Sequence, residues 1–174
     1  VGKTTTNVNL SASIGKIGKK VLVLDLDPQG NTTSGYGIDK SSVESTIYEV
    51  MLDGLDIKEA ILNTEFENID IIASATELSG AEIELTTMEN REFILKNAIE
   101  SIREEYDYIF IDCPPSLGML TINSLTAVDS VLIPIQCEYY ALEGVSQLME
   151  TIKLVKSKLN PNLDIQGVVL SMFD

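Results

Sequence analysis

Two hydrophobic patterns alternate along the chain. The first is a short, mainly apolar run bounded by polar or turn-forming residues, which is typical of a strand buried on both faces of a parallel sheet. Runs of this kind occupy residues 21–24, 69–73, 108–111, 131–135 and 165–170. They predict five strands, distributed over nearly the whole length of the chain.

The second pattern is helical and lies between these runs. Residues 4–17 are rich in Ala, Ser and Asn, place Leu10 and Ile14 on one side, and precede Gly18, which can end a helix. Two further apolar stripes have helical spacing. The first consists of Leu95, Ala98, Ile99, Ile102 and Tyr106. The second ends before Pro161 and consists of Val145, Leu148, Met149, Ile152, Val155 and Leu159.

Alternating strands and helices predict an α/β fold: a doubly wound, mostly parallel sheet with helices on both faces. Right-handed crossovers place the carboxyl ends of the strands along one edge, where ligands bind. Residues 29–45, rich in Gly, Ser, Thr and Asn, predict a long functional loop. Solvated helix faces are expected for the following acidic residues: Glu82, Glu84, Glu89, Glu92, Glu100, Glu104 and Glu105.

Composition narrows the class of protein. A chain of 174 residues with 44% apolar and 22% charged residues is typical of one globular domain. The start without Met and the end directly after an apolar run suggest a single domain over 1–174, truncated at both ends. The absence of His excludes imidazole catalysis and His-bound zinc, and two Cys are too few for a disulfide framework.

The opening V-G-K-T-T-T matches the end of a phosphate-binding P-loop. Gly2 would let the backbone approach phosphate closely, Lys3 would reach the β- and γ-phosphates, and Thr4 would ligate Mg²⁺. The predicted cofactor-binding residues are therefore Gly2, Lys3, Thr4 and Thr5. The motif is short and occurs by chance, but here a helical pattern and a buried strand follow it.

Two further motifs place carboxylates at predicted strand ends. Asp112 ends the apolar run Y-I-F-I-D, and a carboxylate at the end of such a strand can bind Mg²⁺. The alternative is that Asp112 only forms a turn before Pro114 and Pro115. Asp25 and Asp27 lie in D-L-D-P-Q-G-N. The predicted catalytic residues are Lys3 and Asp27, and Asp27 would orient the attacking water. The predicted metal ligands are Thr4, Asp112 and Asp27. Asp25 would support the metal's waters or the loop, unless the pair only caps the strand.

The chain resembles the ParA/Soj family of partitioning ATPases, within the deviant-Walker P-loop group that includes MinD. The resemblance rests on VGKTTTNVNLSASI, DLDPQGN, IDCPPSLG and VLIPIQCEYYALEGVSQL, with DLDPQGN and IDCPPSLG the specific motifs. It implies ATP and Mg²⁺ as cofactors, an ATP-dependent homodimer, a ParB-like DNA-bound activator, and a cytoplasmic, nucleoid-associated protein that does not bind membranes.

The resemblance also implies features outside these residues. A signature Lys would precede Val1, so this segment alone is expected to bind nucleotide poorly. With 12 basic and 27 acidic residues, the net charge of −15 opposes DNA binding, which the family performs without sequence specificity through residues that would lie beyond Asp174. The small basic clusters, Lys16, Lys19 and Lys20 and then Lys153, Lys156 and Lys158, are expected to be ordinary surface.

Three alternatives remain open at this point. A MinD-like membrane-cycling ATPase that positions the division site would need a C-terminal amphipathic helix. A P-loop tyrosine autokinase would need a Tyr-rich tail. A nucleotide-dependent binding module would hydrolyse nothing, and only a measurement of phosphate release separates it from an ATPase.

Overall fold

The computed structural model describes residues 2–137 and 141–172, in which two sheets are flanked by helices. The strands are β1 (Val21–Asp25), β2 (Ile61–Asn63), β3 (Ile69–Ile72), β4 (Tyr108–Asp112), β5 (Ser130–Gln136) and β6 (Asp164–Ser171). The helices are α1 (Lys3–Lys16), α2 (Asn31–Gly35), α3 (Ile47–Leu52), α4 (Leu78–Leu85), α5 (Ile94–Glu100), α6 (Met119–Ala127) and α7 (Ala141–Lys158). Short 3₁₀ turns lie at Lys40–Ser42, Ile57–Ala60, Arg91–Phe93 and Arg103–Glu105.

The strand order creates a crevice at the end of β1. The larger sheet has the order β2-β3-β1-β4, in which β1 runs parallel to both neighbours and β2 runs antiparallel to β3. After β1 the chain adds β3 on one side and later β4 on the other. This reversal is a topological switch point, where doubly wound folds bind ligands. Strands β5 and β6 form a second, parallel pair.

Strand β1 is the centre of the core because both of its faces are covered. Val21 and Val23 pack in a cluster with side chains of α1, whereas Leu22 and Leu24 pack with those of α3 to α6. All four are fully buried, and each such side chain stabilises the fold by about 1.5–3 kcal/mol. Helix α7 covers β5 and β6 through Ile152 and Val155 in a third cluster.

The predicted architecture is confirmed, with differences in detail. The helical stripe predicted from Leu95 to Tyr106 is divided between α5 and the 3₁₀ turn Arg103–Glu105, and Tyr106 is extended. Each of the five predicted strands is present, and β2 is an additional strand too short to show a pattern. The prediction of an uninterrupted loop at 29–45 was wrong, since it contains α2 and the 3₁₀ turn Lys40–Ser42. Helix α2 forms because its threonines are held by buried carboxylates, a tertiary effect that local composition does not reveal. Within 2–137 and 141–172, no helix is both long and apolar enough to cross a membrane.

Candidate functional site

The amino end of α1 is shaped to receive an anion. Gly2 precedes the helix with φ 84°, in the left-handed region that glycine favours, and its carbonyl accepts the Thr6 N–H at 2.9 Å. Among the described residues, no side chain caps this end of the helix. The first-turn amides of such a helix, with its dipole, attract negative charge. A Cβ at Gly2 would also approach Ser171 Oγ to 3.2 Å, which adds to the backbone preference for glycine at this position.

A buried carboxylate meets this helix end. Asp112, the last residue of β4, is 3% exposed. Its Oδ2 accepts a hydrogen bond from Thr4 Oγ1 at 2.9 Å and a second from Thr32 Oγ1 at 2.6 Å. The hydroxyl predicted to ligate magnesium and the carboxylate predicted to assist it are therefore in direct contact.

Asp25 lies beside Asp112 in the register of β1 and β4 and is fully buried. Its Oδ2 accepts the Thr33 N–H at 2.8 Å and the Thr33 Oγ1 hydroxyl at 2.7 Å. Burial raises the pKa of Asp25 to about 6, the Thr33 hydrogen bonds oppose that rise, and the charge of Asp112 adds to it. Of the two roles predicted for Asp25, the structure shows the support of the loop.

Asp27 lies two residues beyond β1, in the turn that leads to α2. Its Oδ1 accepts the Gln29 N–H at 3.0 Å, and its carbonyl accepts the Gly30 N–H at 2.8 Å and the Ser74 hydroxyl. The side chain is only partly buried. The backbone around Asp27 is thus fixed, while its carboxylate keeps acceptor capacity for a ligand.

Cys113 follows Asp112 directly in the sequence, and its thiol has a raised pKa. Burial raises its pKa to about 11, and a hydrogen bond with Ser124 opposes that rise. The charges of Asp112 and Asp27 raise this pKa further, and the charge of Lys3 lowers it.

Lys3 adjoins Thr4, whose hydroxyl contacts Asp112. Asp27 lies two residues beyond Asp25, which pairs with Asp112 in the sheet. These three predicted residues therefore belong to segments that meet at the same strand ends.

The predicted roles have different degrees of structural support. Thr4 and Asp112 are in contact, and Gly2 has the required conformation. Thr5 is exposed on the first turn, where its carbonyl accepts a hydrogen bond from Asn9, and its contact with nucleotide stays a prediction. Metal ligation by Asp27 also stays a prediction, since no contact joins its carboxylate to Thr4 or Asp112 within the described residues.

The donor set suits magnesium held together with a nucleotide. Hydroxyl and carboxylate oxygens are the ligands of a hard cation, and Mg²⁺ takes one or two carboxylates plus substrate phosphates. Within the part of the chain that the structure describes, no cluster of three or more His, Cys, Asp or Glu forms a metal site by itself.

Sequence reasoning missed three residues that build this site: Thr32, Thr33 and Ser74. Thr33 Oγ1 accepts the Ser74 N–H at 3.0 Å while it donates to Asp25, which joins α2 to β1 and to the segment after β3. The threonines follow directly after D-P-Q-G-N, so their position next to Asp27 was the available signal.

A phosphate-binding helix end, a strand-end carboxylate and a doubly wound sheet define the class of magnesium-dependent P-loop ATPases. A family model described as an AAA domain matches residues 1–165. The sporulation initiation inhibitor protein Soj of Bacillus subtilis is 57% identical over the whole chain, which covers 69% of that protein. The chromosome partitioning protein ParA of Myxococcus xanthus is 53% identical, and the whole chain covers 62% of it.

Solved structures agree with these relatives. Cobyrinic acid a,c-diamide synthase from Mycobacterium smegmatis, with a bound ATP analog and magnesium, is 38% identical with a TM-score of 0.94, over 99% of this chain and 70% of that one. A plasmid partition protein from Borrelia burgdorferi is 30% identical with a TM-score of 0.85, over 99% of this chain and 74% of that one. The chain belongs to the ParA/Soj family of AAA-domain ATPases. The family and fold predictions are confirmed.

Proposed function

We propose that this protein is an ATP-dependent dimerising switch that hydrolyses ATP and drives chromosome or plasmid partitioning. The observation that carries the proposal is the 2.9 Å hydrogen bond from Thr4 Oγ1 to Asp112 Oδ2. It joins the phosphate-binding turn to the carboxylate at the switch point of the sheet, with Asp27 following the adjacent strand.

Each residue has a separate task in this proposal. Lys3 and the first-turn amides of α1 bind the phosphates and offset their charge, and Thr4 and Asp112 hold the metal. Bound Mg²⁺ supplies additional positive charge at the β- and γ-phosphates. Asp27 accepts a hydrogen bond from water and orients it toward the γ-phosphorus. Phosphoryl transfer depends mainly on such positioning and charge compensation.

The loops after Asp27 and Asp112 are the switch segments in this proposal. The first is joined to its surroundings by the bonds of Thr32 and Thr33 to the two buried carboxylates. The second, Pro114 to Gly118, leads into α6, whose first amides donate to Glu82 on α4. Glu82 was expected to be a solvated surface residue, so this contact is a correction. A change at the γ-phosphate can thereby reach α2 and α6.

Partitioning further requires partners, which we infer from the family. The partners are a second copy of the protein with ATP bound, a ParB-like DNA-bound activator, and DNA bound without sequence specificity on the nucleoid in the cytoplasm. Because the net charge of −15 opposes contact with a phosphate backbone, we expect the DNA contacts to come from residues beyond Asp174. The relatives named Soj and ParA favour this role over the MinD-like alternative.

Phosphate release by the full-length protein tests the proposal. The wild type is compared with Asp27→Ala, alone and with DNA and a ParB-like protein. We expect Mg²⁺-dependent release in the wild type, and for Asp27→Ala a loss of at least about 100-fold with nucleotide binding retained. Asp39→Ala, which removes an exposed aspartate further along the same segment, is the matched control.

Two results would contradict parts of this proposal. Hydrolysis at the wild-type rate by Asp27→Ala would show that Asp27 does not orient the water. A wild type that binds ATP but releases no phosphate, even with DNA and the ParB-like protein, would instead indicate a binding module.

A further inference from the structure

We propose that Thr32 is a positioning residue for the magnesium-assisting carboxylate of Asp112. This inference rests on the proposed function, because it concerns the same metal site. Thr32 lies on α2 and Asp112 at the end of β4, 80 positions apart in the sequence. The Thr32 Oγ1 hydroxyl donates to Asp112 Oδ2 at 2.6 Å, a short hydrogen bond to a charged acceptor.

The distribution of hydrogen bonds over the carboxylate is uneven. Among the described residues, the side-chain donors to Asp112 are Thr4 and Thr32, and both donate to Oδ2. Two donors on one oxygen fix the rotation of the carboxylate group. They also leave Oδ1 as the oxygen with unused lone pairs, which is what a metal ion or a metal-bound water requires.

The two hydroxyls have complementary effects. Thr4 directs its single hydrogen at Asp112, so the lone pairs of its oxygen are available to a cation. With Thr4 alone, the carboxylate would still be able to turn about its bond to Cβ. The second bond, from Thr32, removes that freedom.

Thr32 is itself held in place. Its side chain is fully buried, and a β-branched side chain has few rotamers on a helix. The neighbouring Thr33 binds Asp25, and Tyr36, at the end of α2, forms a hydrogen bond with Ser11 of α1. Helix α2 therefore presents the Thr32 hydroxyl from a fixed position.

The experiment measures the affinity of the full-length protein for ADP by calorimetry, as a function of Mg²⁺ concentration and in EDTA. The variants are Thr32→Val, which keeps the shape without the hydroxyl, and Thr32→Ser, which keeps the hydroxyl. Thr126→Val is the matched control, because Thr126 is almost equally buried and its hydroxyl donates to the Ile122 carbonyl of α6. ADP is used so that hydrolysis does not affect the measurement.

We expect Thr32→Val to need about tenfold more Mg²⁺ for half-maximal enhancement of ADP binding, the usual scale for loss of an outer-shell partner. Its affinity in EDTA should match that of the wild type, since Thr32 does not belong to the phosphate-binding turn. Thr32→Ser should restore the wild-type Mg²⁺ dependence. Thr126→Val should change thermal stability without changing that dependence.

The possible contrary results are distinct. If Thr32→Val has the Mg²⁺ dependence of the wild type and of Thr126→Val, Thr32 is only a structural residue and the inference is wrong. It is also wrong if Thr32→Val binds Mg²⁺ more tightly, because the hydroxyl would then compete with the metal. If the wild type itself binds ADP without any Mg²⁺ dependence, the proposed function fails as well.

Discussion

Replacement of Asp25 by Asn should remove a pH dependence that is built into the end of β1. Asp25 is fully buried beside Asp112, and burial with this neighbouring charge raises its pKa from 3.8 to about 6. The folded protein then holds a proton more tightly than the unfolded chain does. The stability contribution of Asp25 is therefore complete below its unfolded pKa and is lost as the pH rises through about 6.

The magnitude follows from the two pKa values. A difference of about two pH units corresponds to about 3 kcal/mol when integrated over the whole titration. Of this free energy, about 1 kcal/mol is lost between about pH 5 and about pH 7.5. For a chain of this length, that difference corresponds to roughly 2–4 °C in Tm. The wild type should lose this amount relative to Asp25→Asn over that interval.

The assay is urea and thermal unfolding of both proteins at several pH values, in EDTA and without nucleotide. At each pH, the free energy of unfolding of Asp25→Asn is subtracted from that of the wild type. The prediction concerns how this difference changes with pH. Asn loses one acceptor, so the hydrogen bond from the Asp27 N–H at 3.2 Å can be weakened, but that cost does not depend on pH. Subtraction also removes the titration of the other carboxylates.

Asp39→Asn provides a control that should show no change over this interval. Asp39 is exposed, and the hydrogen bonds from Ser41 lower its pKa from 3.8, so its contribution is lost only at a pH below the interval. A constant difference between wild type and Asp25→Asn over the whole interval would refute the reasoning. A wild type that gained stability relative to Asp25→Asn as the pH rises would refute it more strongly.

Further substitutions test other parts of the site. Lys3→Ala should weaken ATP binding by about 10–100-fold in calorimetry, because a charge-assisted contact to phosphate is lost, and an unchanged affinity would exclude the phosphate-binding role. The Glu82 carboxylate accepts the amide hydrogens of Met119 and Leu120 at the start of α6. Gly118→Ala would place a Cβ against this carboxylate, so it should lower the free energy of unfolding in urea by about 1 kcal/mol. Glu82→Ala should cost a similar amount, and the double variant should cost less than the sum.

The elements that could be predicted from the sequence are those whose signal is local. Strands β1 and β4 are continuous apolar runs, and each ends in the Asp that the site uses. The phosphate-binding turn needs only Gly2 and the two residues after it. Since carboxyl ends of parallel strands share one edge, the meeting of Thr4 and Asp112 follows from topology together with these short motifs.

Other elements gave no local signal. Seven of the nine residues of α6 are buried, polar ones among them, so no apolar stripe distinguishes one face of this helix. Helix α2 has only five residues and none of the periodicity of a helix. Helix α3 differs from these two, since Thr46 and Glu49 form a capping box at its start.

The residues that sequence reasoning missed at the site share one physical feature. Thr32 and Thr33 are adjacent, yet they bind carboxylates from two different strands, a pairing that only the folded sheet defines. Their hydroxyls satisfy two carboxylates that lie side by side at 0% and 3% exposure, where burial, and to a smaller extent the charge of Asp112, disfavours the ionised form of Asp25. In the proposed function, a cation bound between the strand ends and the phosphates would offset this cost. Ligand binding and stability should therefore be linked at this site.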